Sequence, residues 1–171
     1  MNMKKLIFLL LFVLLSCDDG DLDISSFEFE ETVNICGEKE YTLYRLSTFG
    51  KTEVLMVTLT DKEIRKDEDP VVPVSVTENG SYTVTYRQFD SEVSSDYFCA
   101  VVPPTEPAVV KDWRGVSGTI VVENRPKYAD DGVTISNWEH YVILVDVVLR
   151  VDDQELRLDE TYLYGTAVTG A

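Results

Sequence analysis

The chain has 171 residues, 44% of them hydrophobic, which excludes a disordered protein and allows one domain with a real hydrophobic core. Tyr and Phe together number 16, Val and Thr are abundant and Met is scarce, a composition that favours strands over helices. The 31 acidic residues outnumber the 15 basic ones, and a surface of that charge repels nucleic acid and anionic lipid headgroups.

The first 16 residues have the pattern of an export signal. Lys4 and Lys5 precede an unbroken apolar run that covers residues 6–15. A membrane-spanning helix needs about 20 apolar residues, so the run predicts the hydrophobic part of a signal peptide. Because residues 1–16 hold two lysines and no acid, the remaining chain has 13 basic and 31 acidic residues, a formal charge of −18.

The end of this run, Leu14-Leu15-Ser16-Cys17, resembles the lipobox of bacterial lipoproteins. In that family the signal is cut before the cysteine, whose sulfur carries a diacylglycerol and whose amino group is usually acylated. The resemblance implies that Cys17 is the lipid attachment site and that its acyl chains, palmitate for example, hold the protein to a membrane. The alternative is an ordinary signal peptide with a cysteine at the cut, although such a cut favours small residues on both sides.

Residues 17–26 read as a lipidated cysteine followed by an acidic tether. The acids directly after Cys17 resemble the export signal of Bacteroidota lipoproteins, which routes proteins to the outer face of the outer membrane. We therefore expect an outer-membrane protein that faces the cell surface. A periplasm-facing protein is the alternative, because in other Gram-negative bacteria an Asp after the cysteine is a retention signal for the inner membrane. A calcium loop of the EF-hand type does not fit, since the segment lacks the required Gly and Glu.

Lipidation of Cys17 leaves two further cysteines, Cys36 and Cys99. An exported protein permits a disulfide, and a bridge between them closes a loop of about 64 residues, a constraint of ~4 kcal/mol on the unfolded chain in the entropy model. The alternative is two buried free thiols, because the sequence does not give the Cα separation that a bridge requires.

Residues 27–168 alternate in the manner of strands. Residues 53–60 are hydrophobic enough to lie centrally in a sheet, whereas Pro73 makes the strand at 71–77 an edge or a bulge. Asn79-Gly80 predicts a tight hairpin between that strand and the next one. The full set of predicted strands is 27–36, 40–47, 53–60, 71–77, 82–89, 97–102, 118–124, 141–151 and a return strand ending at 164.

The connections between these strands are short. We expect loops at 61–70 and 126–132, a break at 103–107, a turn at Asp152-Asp153, and frayed residues at the C-terminus. Eight or nine strands at this spacing predict a single all-β domain, an antiparallel β-sandwich or a barrel-like fold.

Few residues suggest chemistry. The single histidine, His140, has no serine or cysteine motif beside it, so we interpret it as a surface or hydrogen-bonded residue and not as a catalytic base. One histidine without a CxxC pair does not predict zinc, and no cofactor is expected. Asp130-Asp131-Gly132 is either a calcium loop or a turn.

Exposed aromatic rings are the remaining candidates for a ligand site. The candidates, which fall near loops or strand ends and could stack on sugar rings, are Trp113, Tyr128, Trp138 and Tyr97. Packing in the core is the alternative role for these rings, and it is the common one in β proteins.

The strands at Tyr41–Leu46 and Val54–Leu59 and the long hairpin at 141–164 resemble those of uncharacterised small lipoproteins of Bacteroidota. The resemblance implies no particular activity. The prediction is a surface-displayed, non-enzymatic binding protein whose ligand is a glycan or an envelope protein. A structural or assembly accessory of the envelope is the alternative, and a hydrolase of envelope or extracellular polymers is the third hypothesis.

Overall fold

The computed structural model describes residues 27–67 and 71–171. Within these ranges it contains nine strands and one short helix, and every strand pairing is antiparallel. This confirms the all-β, sandwich-like prediction. The elements are β1 (Asn34–Gly37), β2 (Glu40–Leu46), β3 (Glu53–Thr60), β4 (Val72–Ser75), β5 (Thr83–Phe89), α1 (Asp96–Cys99), β6 (Val109–Tyr128), β7 (Ile135–Val151), β8 (Gln154–Arg157) and β9 (Thr161–Gly170).

The strands form one continuous sheet that folds over its own core in two layers. The front layer has the order β1-β2-β3-β5, then residues 109–115 of β6, residues 148–151 of β7, and β8. The back layer has the order β4, residues 119–128 of β6, residues 135–145 of β7, and β9. The long strands β6 and β7 therefore belong to both layers.

β6 and β7 bend where they pass from one layer to the other. Gly118 in β6 has φ +122°, and a Cβ atom placed there would lie 2.7 Å from the Cα of Val147 in β7. Only glycine fits both the conformation and the space. Asp146 in β7 also has a positive φ, +52°. The bend brings β9 over β2 and β3, where the hydroxyl of Tyr164 donates to the carbonyl of Leu55 at 3.0 Å.

Alternation along each strand divides the side chains between the two faces. In β3, Leu55, Val57 and Leu59 point inward and are fully buried, as expected for a central strand. The main core lies between the layers and includes Leu43, Leu55, Val57, Leu59, Val74, Val84, Tyr86, Trp113, Ile120, Val142, Leu144, Leu149, Tyr164 and Ala167.

A second apolar cluster lies on the outer face of the front layer. Residues 90–108, named here the covering segment, include α1 and contribute Val93, Tyr97 and Phe98 to it. From the sheet come Tyr44, Leu46, Val54, Met56 and Phe89. A disulfide between Cys36 of β1 and Cys99 of α1 fastens the segment to the sheet, with the Cα atoms 5.6 Å apart. The predicted disulfide is thus confirmed.

The hairpin predicted at Asn79-Gly80 is wrong. β4 pairs with β6 and not with β5, and residues 76–82 carry the chain from the back layer to the front. The φ of Gly80 lies outside the left-handed region, and its N–H donates to the carbonyl of Thr77. Burial of Val74 and Val76 against β6 outweighs the local preference for a tight turn. Pro73 lies in an edge strand, as predicted.

Several other boundaries differ from the prediction. β1 covers Asn34–Gly37 and not 27–36, β7 begins at Ile135 and not at 141, and the predicted return strand is divided into β8 and β9. Residues 97–102 do not form a strand, because the rings of α1 pack onto Phe89 and Tyr44 and the segment has no strand partner. The strand predicted at 118–124 extends over Val109–Tyr128, since pairing with β7 continues beyond Pro126. The C-terminus is not frayed, because β9 pairs with β7 as far as Gly170. The turn at Asp152-Asp153 is confirmed between β7 and β8.

Candidate ligand-binding groove

A groove of about 310 Å³ lies on the outer face of the front layer, beside the covering segment. Met56 lines the groove and also packs against the second apolar cluster. The other lining residues are Thr42, Thr58, Glu78, Thr83, Val84, Thr85, Arg87, Asp112, Arg114 and Gly115.

Strand register arranges the groove side chains in rows. Thr42 of β2, Thr58 of β3 and Thr83 of β5 stand directly opposite one another and form the first row. Neighbouring strands lie about 4.8 Å apart, so this row places three threonine side chains at intervals of one strand spacing. The row that follows along the strands joins Met56, Thr85 and Arg114.

The third row carries charge. Arg87 stands opposite Asp112, and its Nε donates to Oδ1 at 2.8 Å. The other carboxylate oxygen of Asp112 accepts a hydrogen bond from Nε of Arg114 at 3.0 Å. Two guanidinium groups therefore share one carboxylate, and Glu78, which also lines the groove, brings the formal charge of the lining side chains to zero. The side chains of Arg87 and Asp112 are 25% and 21% exposed, whereas that of Arg114 is 70% exposed.

The structure does not bring the predicted aromatic residues together. Trp113 is 1% exposed in the main core, and Trp138 is 6% exposed. Neither indole therefore exposes a face to a ligand. Their burial agrees with the alternative role, packing inside the protein. Tyr128 is 48% exposed at the end of β6, outside the groove. Tyr97 packs against Phe89 in the second apolar cluster.

His140 is fully buried and hydrogen-bonded through both ring nitrogens. Nδ1 lies 2.6 Å from Oδ1 of Asn124, and Nε2 lies 2.9 Å from the hydroxyl of Thr169. Oδ1 of Asn124 also accepts from the N–H of Arg65, so Nδ1 carries the ring proton. Burial, with the charge of Lys66, lowers the pKa of His140 to about 4. This neutral imidazole joins β6, β7 and β9, in keeping with the hydrogen-bonded role expected from the sequence.

The Asp130-Asp131-Gly132 segment forms a turn between β6 and β7. The carboxylate of Asp131 accepts from the N–H groups of Val133 and Thr134 and from the Thr134 hydroxyl, and these bonds lower the pKa of Asp131 to about 2. Gly132 has φ +69°. Among the residues that the structure describes, no group of three or more His, Cys, Asp or Glu side chains is placed to hold a metal ion.

The signal peptide, Cys17 and the acidic tether lie outside the described residues. In the part of the chain that is described, no helix has the length and apolar character needed to cross a membrane.

The sequence alone does not identify the groove, although four of its threonines occupy recognisable positions. Thr42, Thr58, Thr83 and Thr85 are the polar members of alternating strands, and each was visible as such. Their convergence depends on the register of β2, β3 and β5, which the sequence does not state.

Comparison of the chain with models of protein families, with curated proteins and with solved structures finds no match.

Proposed function

We propose that this chain is a lipoprotein anchored through Cys17, displayed on the outer cell surface, that binds a glycan in the front-layer groove without transforming it. The lipobox-like Leu14-Leu15-Ser16-Cys17 and the acids after it support the anchor and its location. The groove supports the binding role.

The observation that carries the glycan is the first row of the groove. Sugars present closely spaced hydroxyl groups, each able to donate and to accept a hydrogen bond. Thr42, Thr58 and Thr83 offer the same double capacity on a rigid sheet, where little side-chain freedom is lost on binding. Met56 and the threonine methyl groups add apolar area for the C–H faces of a ring.

The carboxylate of Asp112 favours binding over hydrolysis, because its engagement leaves Glu78 as the one other acid among the lining residues. A glycosidase needs two carboxyl groups placed on either side of the scissile bond and free to act on it. Both oxygens of Asp112 instead accept hydrogen bonds from Arg87 and Arg114. Asp112 therefore serves to hold the two arginines in position.

Cell fractionation tests the anchor. Cys17→Ser should move the protein from the membrane fraction to the soluble fraction, because no acyl chain can then be attached. Cys36→Ser is the matched control, since it removes a cysteine of the folded domain and should leave the protein in the membrane. A Cys17→Ser protein that stays in the membrane would refute the lipoprotein assignment.

Protease treatment of intact cells tests the location. Surface display predicts that added protease degrades the protein while the outer membrane is whole. Degradation only after permeabilisation would support the periplasm-facing alternative.

A panel of neutral and acidic oligosaccharides tests the ligand class. The full chain should bind at least one member, and Thr58→Val should weaken that binding about tenfold, since it removes a central hydroxyl with little change in shape. Thr119→Val, on the outer face of the back layer, is the matched control and should bind normally. If no oligosaccharide of the panel binds, the proposal that the ligand is a glycan is refuted.

A protein partner is the second candidate, favoured by the outer face of the back layer. Pro73, Val121, Ile143 and Leu163 stand opposite one another across four strands and form an apolar row. Leu163 is 67% exposed. Leu163→Glu would disrupt a complex with an envelope protein, as detected by cross-linking in cells, and would leave sugar binding intact.

A further inference from the structure

The end of the groove that contains Arg87 and Arg114 is unusual in a protein with so many acidic residues. The chain as a whole carries a formal charge of −16. Beside the threonine rows, however, Arg87 and Arg114 share the single carboxylate of Asp112. Arg150, the next residue across the sheet from Arg114, has its own partner in Glu155 at 2.8 Å. Glu78 lines the groove as a further acid.

Arg114 is oriented to take a second acceptor. Only its Nε contacts Asp112, and the side chain is 70% exposed, so its two outer nitrogens remain accessible. The guanidinium group is a planar fork whose outer N–H groups match the two oxygens of a carboxylate. Arg87 holds the other side of Asp112 and thereby fixes the carboxylate that positions Arg114.

The negative charge of the rest of the molecule acts only weakly at this point. The Debye length is about 8 Å at physiological ionic strength, so exposed charges beyond that distance are largely screened. Within the groove, Arg87 and Arg114 are balanced by Asp112 and Glu78, so the local preference comes from the exposed guanidinium group of Arg114 and not from a net charge. A short ligand with few negative charges gains the contact with Arg114 and avoids the repulsion that a long polyanion would meet elsewhere on the surface.

We propose that the groove binds a short oligosaccharide that carries a carboxylate, with the carboxylate on Arg114 and the ring hydroxyls over Thr42, Thr58, Thr83 and Thr85. This inference rests on the proposed glycan-binding function and names the class of sugar. Threonines give affinity for any sugar of suitable shape, and Arg114 gives the selection for a uronic acid.

Isothermal titration calorimetry with the full chain tests the selection. The probes are trigalacturonic acid and its fully methyl-esterified form, which has the same ring hydroxyls and no charge, and a trimer of mannuronic acid as a second uronate. At least one acid should bind about tenfold or more tightly than the ester, and its affinity should fall as salt rises.

Two arginine variants separate a local contact from a general charge effect. Arg114→Gln should reduce binding of the acid to the level of the ester and leave the ester unchanged. Arg125→Gln is the control, because Arg125 is also exposed and ion-paired, with Glu123, but lies in the back layer. Equal losses in the two variants would overturn the assignment of Arg114.

The outcomes separate this inference from the proposed function. An ester or another neutral sugar that binds as tightly as the acids would overturn the uronate assignment and would still support a glycan-binding groove. Absence of binding by every acidic and neutral sugar would overturn both.

Discussion

Arg45 of β2 donates a hydrogen bond from Nη1 to the backbone carbonyl of Tyr164 in β9, at 2.6 Å, and so joins the front layer to the back layer. The same guanidinium donates to the carbonyls of Glu30, at 2.6 Å, and Phe29, at 3.3 Å. One side chain thereby fastens the N-terminal segment, the front layer and the back layer together.

Removal of this guanidinium should destabilise the domain. Arg45→Met keeps much of the aliphatic chain but leaves three carbonyls without their donor, and we expect the free energy of unfolding to fall by about 2–4 kcal/mol. Denaturant titration measures the change. Arg157→Met is the control, because Arg157 is 74% exposed and lies 3.8 Å from its acidic partner. Equal effects of the two substitutions would contradict the role assigned to Arg45.

The hydroxyl of Tyr164 makes a second link between the layers. Burial raises the pKa of Tyr164 well above its usual value, so the hydroxyl remains a donor to the carbonyl of Leu55. Tyr164→Phe should cost about 1–3 kcal/mol, because a buried carbonyl loses its partner. Tyr141→Phe, whose hydroxyl bonds the partly exposed Glu139, should cost less in the same denaturant titration. A smaller loss for Tyr164→Phe would refute this ranking.

The disulfide should stabilise the covering segment most of all. Replacement of both Cys36 and Cys99 by Ser should lower the free energy of unfolding by ~4 kcal/mol in the entropy model, for a sequence separation of 63 residues. Hydrogen exchange should accelerate in residues 90–108 more than in β7, which serves as the internal control. Unchanged exchange in the covering segment would mean that the apolar cluster alone holds it.

The single histidine makes a clear pH prediction. The pKa of His140 is lowered to about 4 in the folded protein, against an unfolded value near 6.5. Between pH 4 and pH 6.5 the unfolded chain binds a proton at this histidine that the folded chain does not bind. The free energy of unfolding is therefore not reduced by His140 above pH 6.5, and it falls as the pH falls towards 4. The loss from this group reaches at most about 1.4 kcal/mol per pH unit.

Proton NMR can follow His140 directly, since the chain has one histidine. Its ring signals should begin to shift only below about pH 5. Comparison of wild type with His140→Gln, in denaturant titrations at several pH values, isolates the histidine from the carboxylates that titrate nearby. A midpoint near 6.5 would show that the imidazole is not held neutral by its surroundings.

Two glycines separate steric clash from backbone strain. Gly118→Ala should cost about 3 kcal/mol or more, because the added Cβ combines a positive φ with a clash against Val147. At Gly132 the φ is also positive, but a Cβ atom meets nothing within 4 Å. Gly132→Ala should therefore cost only about 1 kcal/mol, from conformation alone. Equal losses, measured by thermal or denaturant unfolding, would mean that the two strands can part at the bend.

Where burial and alternation agree, the sequence predicts the fold closely. The apolar positions of residues 53–60 give β3 with the bounds that the structure has, and Pro73 correctly marks an edge strand. The two cysteines pair as favoured, because β1 and α1 bring their Cα atoms within bonding range. These features depend on local pattern and on few possible partners.

Features that depend on contacts between residues far apart in the sequence could not be predicted in the same way. Asn79-Gly80 has strong turn chemistry, yet Val74 and Val76 gain more by packing against β6. Arg45 gives no local signal, since two of its acceptors are 15 and 119 residues away and all are backbone carbonyls. The groove likewise needs the register of β2, β3, β5 and β6 before its side chains converge.

The position of Arg45 also has a mechanical consequence. In a domain held to a membrane by Cys17, as proposed, any pull from a bound ligand passes to the anchor through the segment that precedes β1. Arg45 is hydrogen-bonded to that segment at Phe29 and Glu30. The force therefore passes into β2 and, through the hydrogen bond to Tyr164, into β9. Tension is then shared between both layers instead of peeling away the edge strand β1, so this single cation should set the force at which the tethered protein begins to open.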